Sequence, residues 1–271
     1  MELGTNHVGE IKDLSNMINP NIGIITNIGS SHLEYFKTKK NIFKEKTSIL
    51  DESKLIVNGD DKYLKRLNSF KCGTSTNNDL IAYNIESFID KVTFNIFLDK
   101  KYKIVFNNPG IHFVNDILLA IKVCLDYDID IKDIIKRIYT FKLTDMRMNI
   151  INYKDNIIID DSYNSSFESI SAGIDYLKSV KQNKILIIGD ILELGKYSKK
   201  IHKKINKKLK ELSDKEIFTI GKYSKYIKGI NFDDVDLFIG YLDNLDIHNK
   251  IIYIKGSRKV NLDKIVKYLK K

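Results

Sequence analysis

Val8, Ile11, Leu14 and Ile18 recur at the spacing of one helix face, and Pro20 sets the limit of that helix. Residues 22–28 read as a short buried strand that runs out into Asn27, Gly29 and Ser30. A second helical stretch covers residues 39–50, a strand follows at 54–58, and Gly59-Asp60-Asp61 makes a turn. The pattern weakens from Cys72 to Phe106, where alternation at 92–97 and 102–106 predicts a hairpin. Helices are predicted at 114–126 and 131–139.

Beyond Phe141 the rhythm is regular. A strand at 157–160 leads to a helix with Phe167, Ile170, Ile174 and Leu177 on one face, and a strand at 185–188 leads to a lysine-rich helix. A strand at 217–220 precedes a short helix, and a strand at 251–254 precedes a terminal helix over 260–270. Alternating strands and helices predict an α/β fold with a mostly parallel sheet covered on both faces. A domain boundary near Thr144 divides the chain into 1–144 and 145–271.

Composition narrows the classes. A chain of 271 residues is long enough for one large or two ordinary domains, and it buries a core without disulfide or metal staples. No apolar run reaches the roughly 18 residues of a membrane span, and the N-terminus lacks a signal-peptide pattern. Cys72 and Cys124 stand far apart, outside any C-x-x-C pair, so neither a disulfide framework nor a zinc site is indicated. A cytoplasmic protein is the simplest reading. The net charge of +10 invites a nucleic-acid partner, but only four of the 45 basic residues are arginine, the side chain suited to bidentate phosphate and guanine contacts. Lysine is abundant together with Ile, Asn and Tyr, as an AT-rich genome would produce. The densest basic run, Lys199 to Lys210, alternates with Ile201, Ile205 and Leu209 as the wet face of an amphipathic helix. Neither nucleic-acid binding nor membrane insertion is expected.

The candidate chemistry lies in segments at element ends. Glu2-Leu3-Gly4-Thr5-Asn6-His7 opens the chain, Thr26 to Glu34 carries Asn27, Gly29 and His32, and Lys44-Glu45-Lys46 follows. Gly110-Ile111-His112 opens a helix, Arg147 sits at the domain boundary, and Asp160-Asp161-Ser162-Tyr163-Asn164 ends a strand. Gly189-Asp190-Ile191-Leu192-Glu193-Leu194-Gly195 ends the next, and Lys255-Gly256-Ser257-Arg258 ends the last. Each has a plain reading on its own. His32 suits a cap or a packing position, Lys46 is one lysine among many, Asp160-Asp161 suits a polar strand end, and Gly189 and Gly195 suit turns.

Taken together, the order and spacing of these segments resembles the Mur ligases, most closely the MurF type, over nearly the whole chain. That type joins D-alanyl-D-alanine to UDP-N-acetylmuramoyl-tripeptide in peptidoglycan precursor synthesis. The resemblance implies a partial central, ATPase-type domain over 1–144 and a Rossmann-like C-terminal domain over 145–271. It implies phosphorylation of a carboxylate by ATP and attack of an amine on the acyl phosphate, with magnesium offsetting phosphate charge. Glu2 and His32 would be metal ligands. Lys46 matches the family's carbamylated lysine, so it would join them at the metal and, with His32, at the catalytic centre. Its amine would need a pKa depressed by burial and the metal. Arg147 would face the ATP phosphates and Asp161 the ribose, from opposite sides of the boundary, with His112 and Asn115 also at the nucleotide. Asn164, Asp190 and Glu193 would line the side of the incoming amine.

The chain also departs from that pattern. The Glu2 segment lies downstream of the UDP-sugar domain and phosphate loop in the family, so the chain reads as truncated. The nearest match to G-x-x-x-x-G-K-[ST] is Gly189 to Tyr197, with one residue too many and tyrosine in place of the hydroxyl. Phe113 and Asp116 stand where asparagines are usual, with Asn115 displaced by one. Asn149, and Ser165-Ser166-Phe167, also differ. The expectation is a MurF-like ligase fragment, inactive alone. One alternative is half of a split ligase, whose phosphate loop comes from a second polypeptide. The other is a non-catalytic, degenerate paralogue or binding module.

Overall fold

Asn19 takes a left-handed φ of 50° and, with Pro20 after it, closes helix α1 (Glu10–Ile18). The computed structural model describes residues 1–270. They fall into two units, one of Met1–Asn107 with Ile111–Phe141 and one of Asn108–Gly110 with Lys142 onward.

In the first unit, strand β1 (Gly23–Ile25) is followed by a single helical turn, α2 (Leu33–Phe36), and by α3 (Lys39–Thr47), whose cap Thr38 accepts from Asn41 N at 3.1 Å. Strands β2 (Leu55–Asn58), β3 (Phe70–Gly73) and β4 (Leu80–Ile81) complete a parallel sheet in the order β1-β2-β3-β4. Strands β5 (Tyr83–Ser87), β6 (Val92–Phe97) and β7 (Lys101–Phe106) form an antiparallel sheet that contains the expected hairpin. Helices α4 (Phe113–Asp126) and α5 (Ile131–Thr140) follow, and α4 packs on β2 and β3 through a core that includes Val57, Leu118 and Ile121. Strand β1 is shorter than its apolar run because Ile28 N donates to the Asp61 carboxylate at 3.0 Å rather than to a neighbouring strand. The sequence pattern did not foretell α2, β3 or β4, all of four residues or fewer.

The second unit carries the expected mostly parallel sheet. Its strands are β8 (Asn149–Tyr153), β9 (Asn156–Asp160), β10 (Asn183–Gly189), β11 (Lys215–Ile220), β12 (Ile230–Phe232) and β13 (Lys250–Lys255), in the order β12-β11-β10-β13-β9-β8. All neighbours are parallel except β8, an unforeseen edge strand antiparallel to β9. Helices α6 (Phe167–Lys178), α7 (Ser198–Leu209), α8 (Val235–Leu242) and α9 (Asp263–Leu269) connect or follow the strands. A capping box of Ser166 and Ser169 starts α6. The terminal helix begins later than expected, since Arg258–Val260 form a 3-10 turn and Asn261 is left-handed. Ile158, Ile187, Phe218, Phe238, Ile254 and Ile265 share one core beneath the sheet. Strand order reverses between β10 and β13, the place where open α/β sheets bind ligands at the carboxyl ends of their strands. Among the described residues, no helix is long and apolar enough to cross a membrane.

Candidate functional site

In the first unit, Glu2 and Lys46 line one cleft of about 580 Å³, walled by Ile11, Ile22, Ile24, Ile25 and Ile49. His32, at a left-handed φ of 59°, lines a separate cleft with Asn6, Glu10 and Asp13, and Thr5 borders both. Lys46 is half-buried on α3 and donates from Nζ to Asn27 O at 3.1 Å, which ties α3 to the loop leading to His32. Two carboxylates hold the segment that follows Glu2. Glu10 accepts from Asn6 N at 2.7 Å and His7 N at 2.9 Å, and these backbone donors lower its pKa to about 2. Glu45, only 4% exposed, accepts from Gly9 N at 2.8 Å, Ile11 N at 2.9 Å and the Thr5 hydroxyl at 3.3 Å. Glu45 thereby places a negative charge at the N-terminus of α1 and joins that end to the helix of Lys46.

The expected nucleotide residues of this unit lie at the start of α4. The His112 ring packs 4.2 Å from that of Phe113, which meets Phe106 edge-on at 5.6 Å. Phe113 thus belongs to an aromatic cluster rather than to a polar rim. Asn115 donates to Asn58 Oδ1 at 3.2 Å, and its own buried Oδ1 accepts from no group among the described residues.

The second unit gathers its segments at the carboxyl edge of the sheet. Asp161 Oδ2 accepts from the Tyr253 hydroxyl at 2.9 Å and faces Lys255 Nζ at 2.7 Å, while Oδ1 accepts from Met148 N at 3.3 Å. Both Asp161 oxygens are therefore engaged inside the unit, where a ribose contact was expected. Lys255 also donates to Asn164 O at 3.1 Å. Tyr253 is wholly buried, and its pKa is pushed up by burial and by Asp161. Its hydroxyl finds room because residue 173 is glycine, where a Cβ would stand 2.0 Å from it. Burial likewise raises the Asp160 carboxyl, although Ser162 donates to it from its hydroxyl at 2.6 Å.

Arg147 is exposed, with its guanidinium 4.5 Å from the Tyr163 ring centre. Its neighbours Met146 and Met148 have φ of 63° and 52°. Tyr163 N pins the first by donating to Met146 O at 3.0 Å, and Asp161 pins the second through Met148 N. Left-handed backbone costs about 1–2 kcal/mol at a non-glycine residue, so this presentation of Arg147 is maintained against strain.

The residues expected on the amine side separate. Asn164 and Glu193 are exposed, Glu193 at φ 60°. Asp190 is buried, and its carboxylate accepts from Lys222 N at 3.1 Å, Tyr223 N at 2.9 Å and Ser224 N at 2.6 Å. It organises the turn after β11, where Gly221 has φ 120° and a Cβ would lie 2.6 Å from the Asp190 carboxyl carbon. Ser257 links the turns after β10 and β13: its N–H donates to Asp190 O at 2.9 Å, and its hydroxyl accepts from Leu192 N at 2.9 Å. Glu45, Gly173, His202 and Tyr253 passed unassigned in the sequence. Glu45, Gly173 and Tyr253 have partners remote along the chain, whereas His202 meets Ser198 and Ile191 from within its own strand–helix connection.

Among the described residues, no three His, Cys, Asp or Glu side chains group as a metal cluster. Glu2 and Lys46 line one cleft and His32 the adjoining one, with Thr5 common to both.

Residues 1–124 match the family described as Mur ligase middle domain, and residues 146–258 match the one described as Mur ligase, glutamate ligase domain. The UDP-N-acetylmuramoyl-tripeptide–D-alanyl-D-alanine ligase of Rickettsia prowazekii is 33% identical, over 98% of this chain and 65% of the relative. The Bacillus subtilis ligase of the same name is 30% identical, over 99% of this chain and 63% of its own length. The chain thus spans just under two thirds of the curated relatives it matches. Among solved structures, MurF from Acinetobacter baumannii superposes with a TM-score of 0.90 at 25% identity, covering 100% of this chain and 64% of that one. MurF from Thermotoga maritima in complex with ADP superposes with a TM-score of 0.88 at 21% identity, covering 99% and 66%. With both of its units accounted for by these matches, the chain belongs to the Mur ligase family.

Proposed function

We propose that this chain supplies the middle and C-terminal parts, divided near Thr144, of a cytoplasmic ATP-dependent ligase of peptidoglycan precursor synthesis. Its substrates are UDP-N-acetylmuramoyl-tripeptide and D-alanyl-D-alanine, the pair named for the curated relatives. The observation that carries this reading is the convergence, at the carboxyl edge of one parallel sheet, of the loops after β9, β10 and β13. Asp161, Lys255 and Ser257 join them through side-chain contacts, and Asp190 through its backbone carbonyl. Linked loops at a topological switch point hold a small substrate without collapsing.

The reaction sets requirements for each part. A tripeptide carboxylate oxygen attacks the γ-phosphorus of ATP, forming the acyl phosphate and releasing ADP, and magnesium would offset the phosphate charge. The dipeptide amine, relieved of a proton, then attacks the carbonyl and expels phosphate. On this reading Arg147 neutralises phosphate charge, and Lys46, with Glu2 and His32, belongs to the phosphate-transfer side. Asn164 and Glu193 face the dipeptide, Asp190 shapes its loop from within, and His112 and Asn115 border the nucleotide. The sequence holds no G-x-x-x-x-G-K-[ST], so on this reading the phosphate loop comes from outside these 271 residues. The unpaired edge of β1, where Ile24 is 44% exposed, suits its docking.

The test combines the 271-residue chain with ATP, both substrates and a separately expressed N-terminal part of the Bacillus subtilis relative. Product mass and phosphate release are read together. The chain alone is expected to yield nothing, the pair is expected to ligate, and Lys46→Ala is expected to silence the pair. Ligation by the chain alone refutes the need for a phosphate loop from outside these residues. A silent pair that also fails to bind ADP favours the second reading, a non-catalytic binding module. That reading draws on the internal engagement of Asp161 and on Phe113 in its aromatic cluster.

A further inference from the structure

His202 is a buried titratable group that the proposed chemistry leaves unused. It lies on α7 with 0% exposure. Its Nδ1 is 2.8 Å from Ser198 O, and its Nε2 is 3.1 Å from Ile191 N. A carbonyl only accepts and a backbone N–H only donates, so Nδ1 bears the proton and Nε2 is bare. The two partners together select a neutral ring in one tautomer. Burial acts in the same direction, lowering its pKa from the ordinary histidine value.

The residue held by this ring lies in the loop after β10. Three consecutive amides there donate to three separate structures: Asp190 N to Ile220 O at 3.2 Å, Ile191 N to His202, and Leu192 N to the Ser257 hydroxyl. The next residue is the exposed Glu193 at φ 60°, followed closely by Gly195 at φ 49°. The path of the chain to Glu193 is thus set by anchors from β11, α7 and the turn after β13, and α7 contributes a side chain whose acceptor depends on its protonation state.

We propose that His202 is a positioning residue for the dipeptide-side loop, its unprotonated Nε2 holding Ile191 N–H and thereby fixing where Glu193 is presented. The assignment of that loop to the dipeptide rests on the ligase reading above, whereas the holding of the loop does not.

The test uses the full chain and three variants. His202→Gln puts an amide oxygen near the position of Nε2 and keeps an acceptor for Ile191. His202→Asn keeps only a donor toward Ser198, and His202→Leu keeps neither. Nitrogen NMR of the unsubstituted chain at neutral pH should show a protonated Nδ1 and a bare Nε2. Hydrogen exchange at Ile191 should be little changed in His202→Gln and faster by about tenfold or more in His202→Asn and His202→Leu, the effect of one lost hydrogen bond. D-alanyl-D-alanine affinity, read by titration, should follow the same order, with rescue by glutamine. A protonated Nε2, or equal protection of Ile191 in the glutamine and asparagine variants, overturns the proposal even if His202→Leu fails to fold. If the unsubstituted chain does not bind the dipeptide, the ligase reading loses its support, and tautomer and exchange still decide the role of His202.

Discussion

The guanidinium of Arg147 rests 4.5 Å from the centre of the Tyr163 ring, and a backbone hydrogen bond from Tyr163 N to Met146 O at 3.0 Å holds the two loops in register. The ring supplies a flat, electron-rich face, so the guanidinium keeps its edge donors available to a phosphate.

Replacing Tyr163 by leucine should therefore weaken ADP binding by about two- to fivefold, matching an exposed cation–π contact of about 0.5–1 kcal/mol. Arg147→Lys should weaken it more, since an ammonium lacks the planar fork. Calorimetric titration of ADP into the chain with its complementing polypeptide checks both. Equal affinity in all three proteins would remove Arg147 from the nucleotide site.

Lys255 and Asp161 form a buried pair at 2.7 Å, with side chains 4% and 12% exposed. Lys255→Met should cost about 3–5 kcal/mol in urea unfolding, because it strands a buried carboxylate. The double variant Lys255→Met, Asp161→Leu should recover much of that loss. The recovery separates the cost of an unpaired charge from the worth of the pair.

Gly173→Ala should destabilise by about 1–3 kcal/mol despite the roughly 1 kcal/mol that alanine gains in a helix, since the new methyl overlaps the Tyr253 hydroxyl. In a Tyr253→Val background the same exchange should become neutral or stabilising. Thermal unfolding of the four proteins reads the change of sign directly.

The pH dependence of stability carries the signature of His202. Its folded pKa lies below the ordinary value, so between the two the unfolded chain binds a proton that the folded chain refuses. Stability from this group is fully present above about pH 6.5 and is lost as pH falls toward the folded pKa. Asp190 favours the protonated ring and opposes burial, and Tyr223 packs with its ring centre 6.2 Å away. Asp160, raised by burial, contributes the opposite slope, stability that is present below its unfolded pKa and lost as pH rises through its folded value. Subtracting the unfolding profile of His202→Gln from that of the unsubstituted chain isolates the histidine. A flat difference between pH 5 and 7 would contradict a neutral buried ring.

Much of the fold was legible in the order of residues. The alternation of 92–97 with 102–106 became β6 and β7, and the apolar runs at 157–160, 185–188, 217–220 and 251–254 became the parallel strands β9, β10, β11 and β13. These patterns are local, and burial on a sheet face imposes them residue by residue. The loop motifs were legible for the same reason: an Asp-Asp-Ser-Tyr-Asn or Lys-Gly-Ser-Arg segment is contiguous, and its place after a strand follows from the strand.

Pairings across long separations were not legible. Asp161 and Tyr253 are 92 residues apart, and Glu45 and Gly9 are 36 apart. Nothing in the neighbourhood of either partner marks it for the other. Asp161 and Asp190 look alike to a reader of motifs, as exposed acids ready for a ligand. Folding brings backbone N–H groups, a lysine and a tyrosine hydroxyl against them, and a buried carboxylate takes the donors within reach. The chain order thus dictated the strands, the loops and the family. Which acids face inward as struts and which side chains remain exposed, as Arg147, Asn164 and Glu193 do, was settled by three-dimensional packing, because hydrogen-bond satisfaction depends on distance in space and not along the chain.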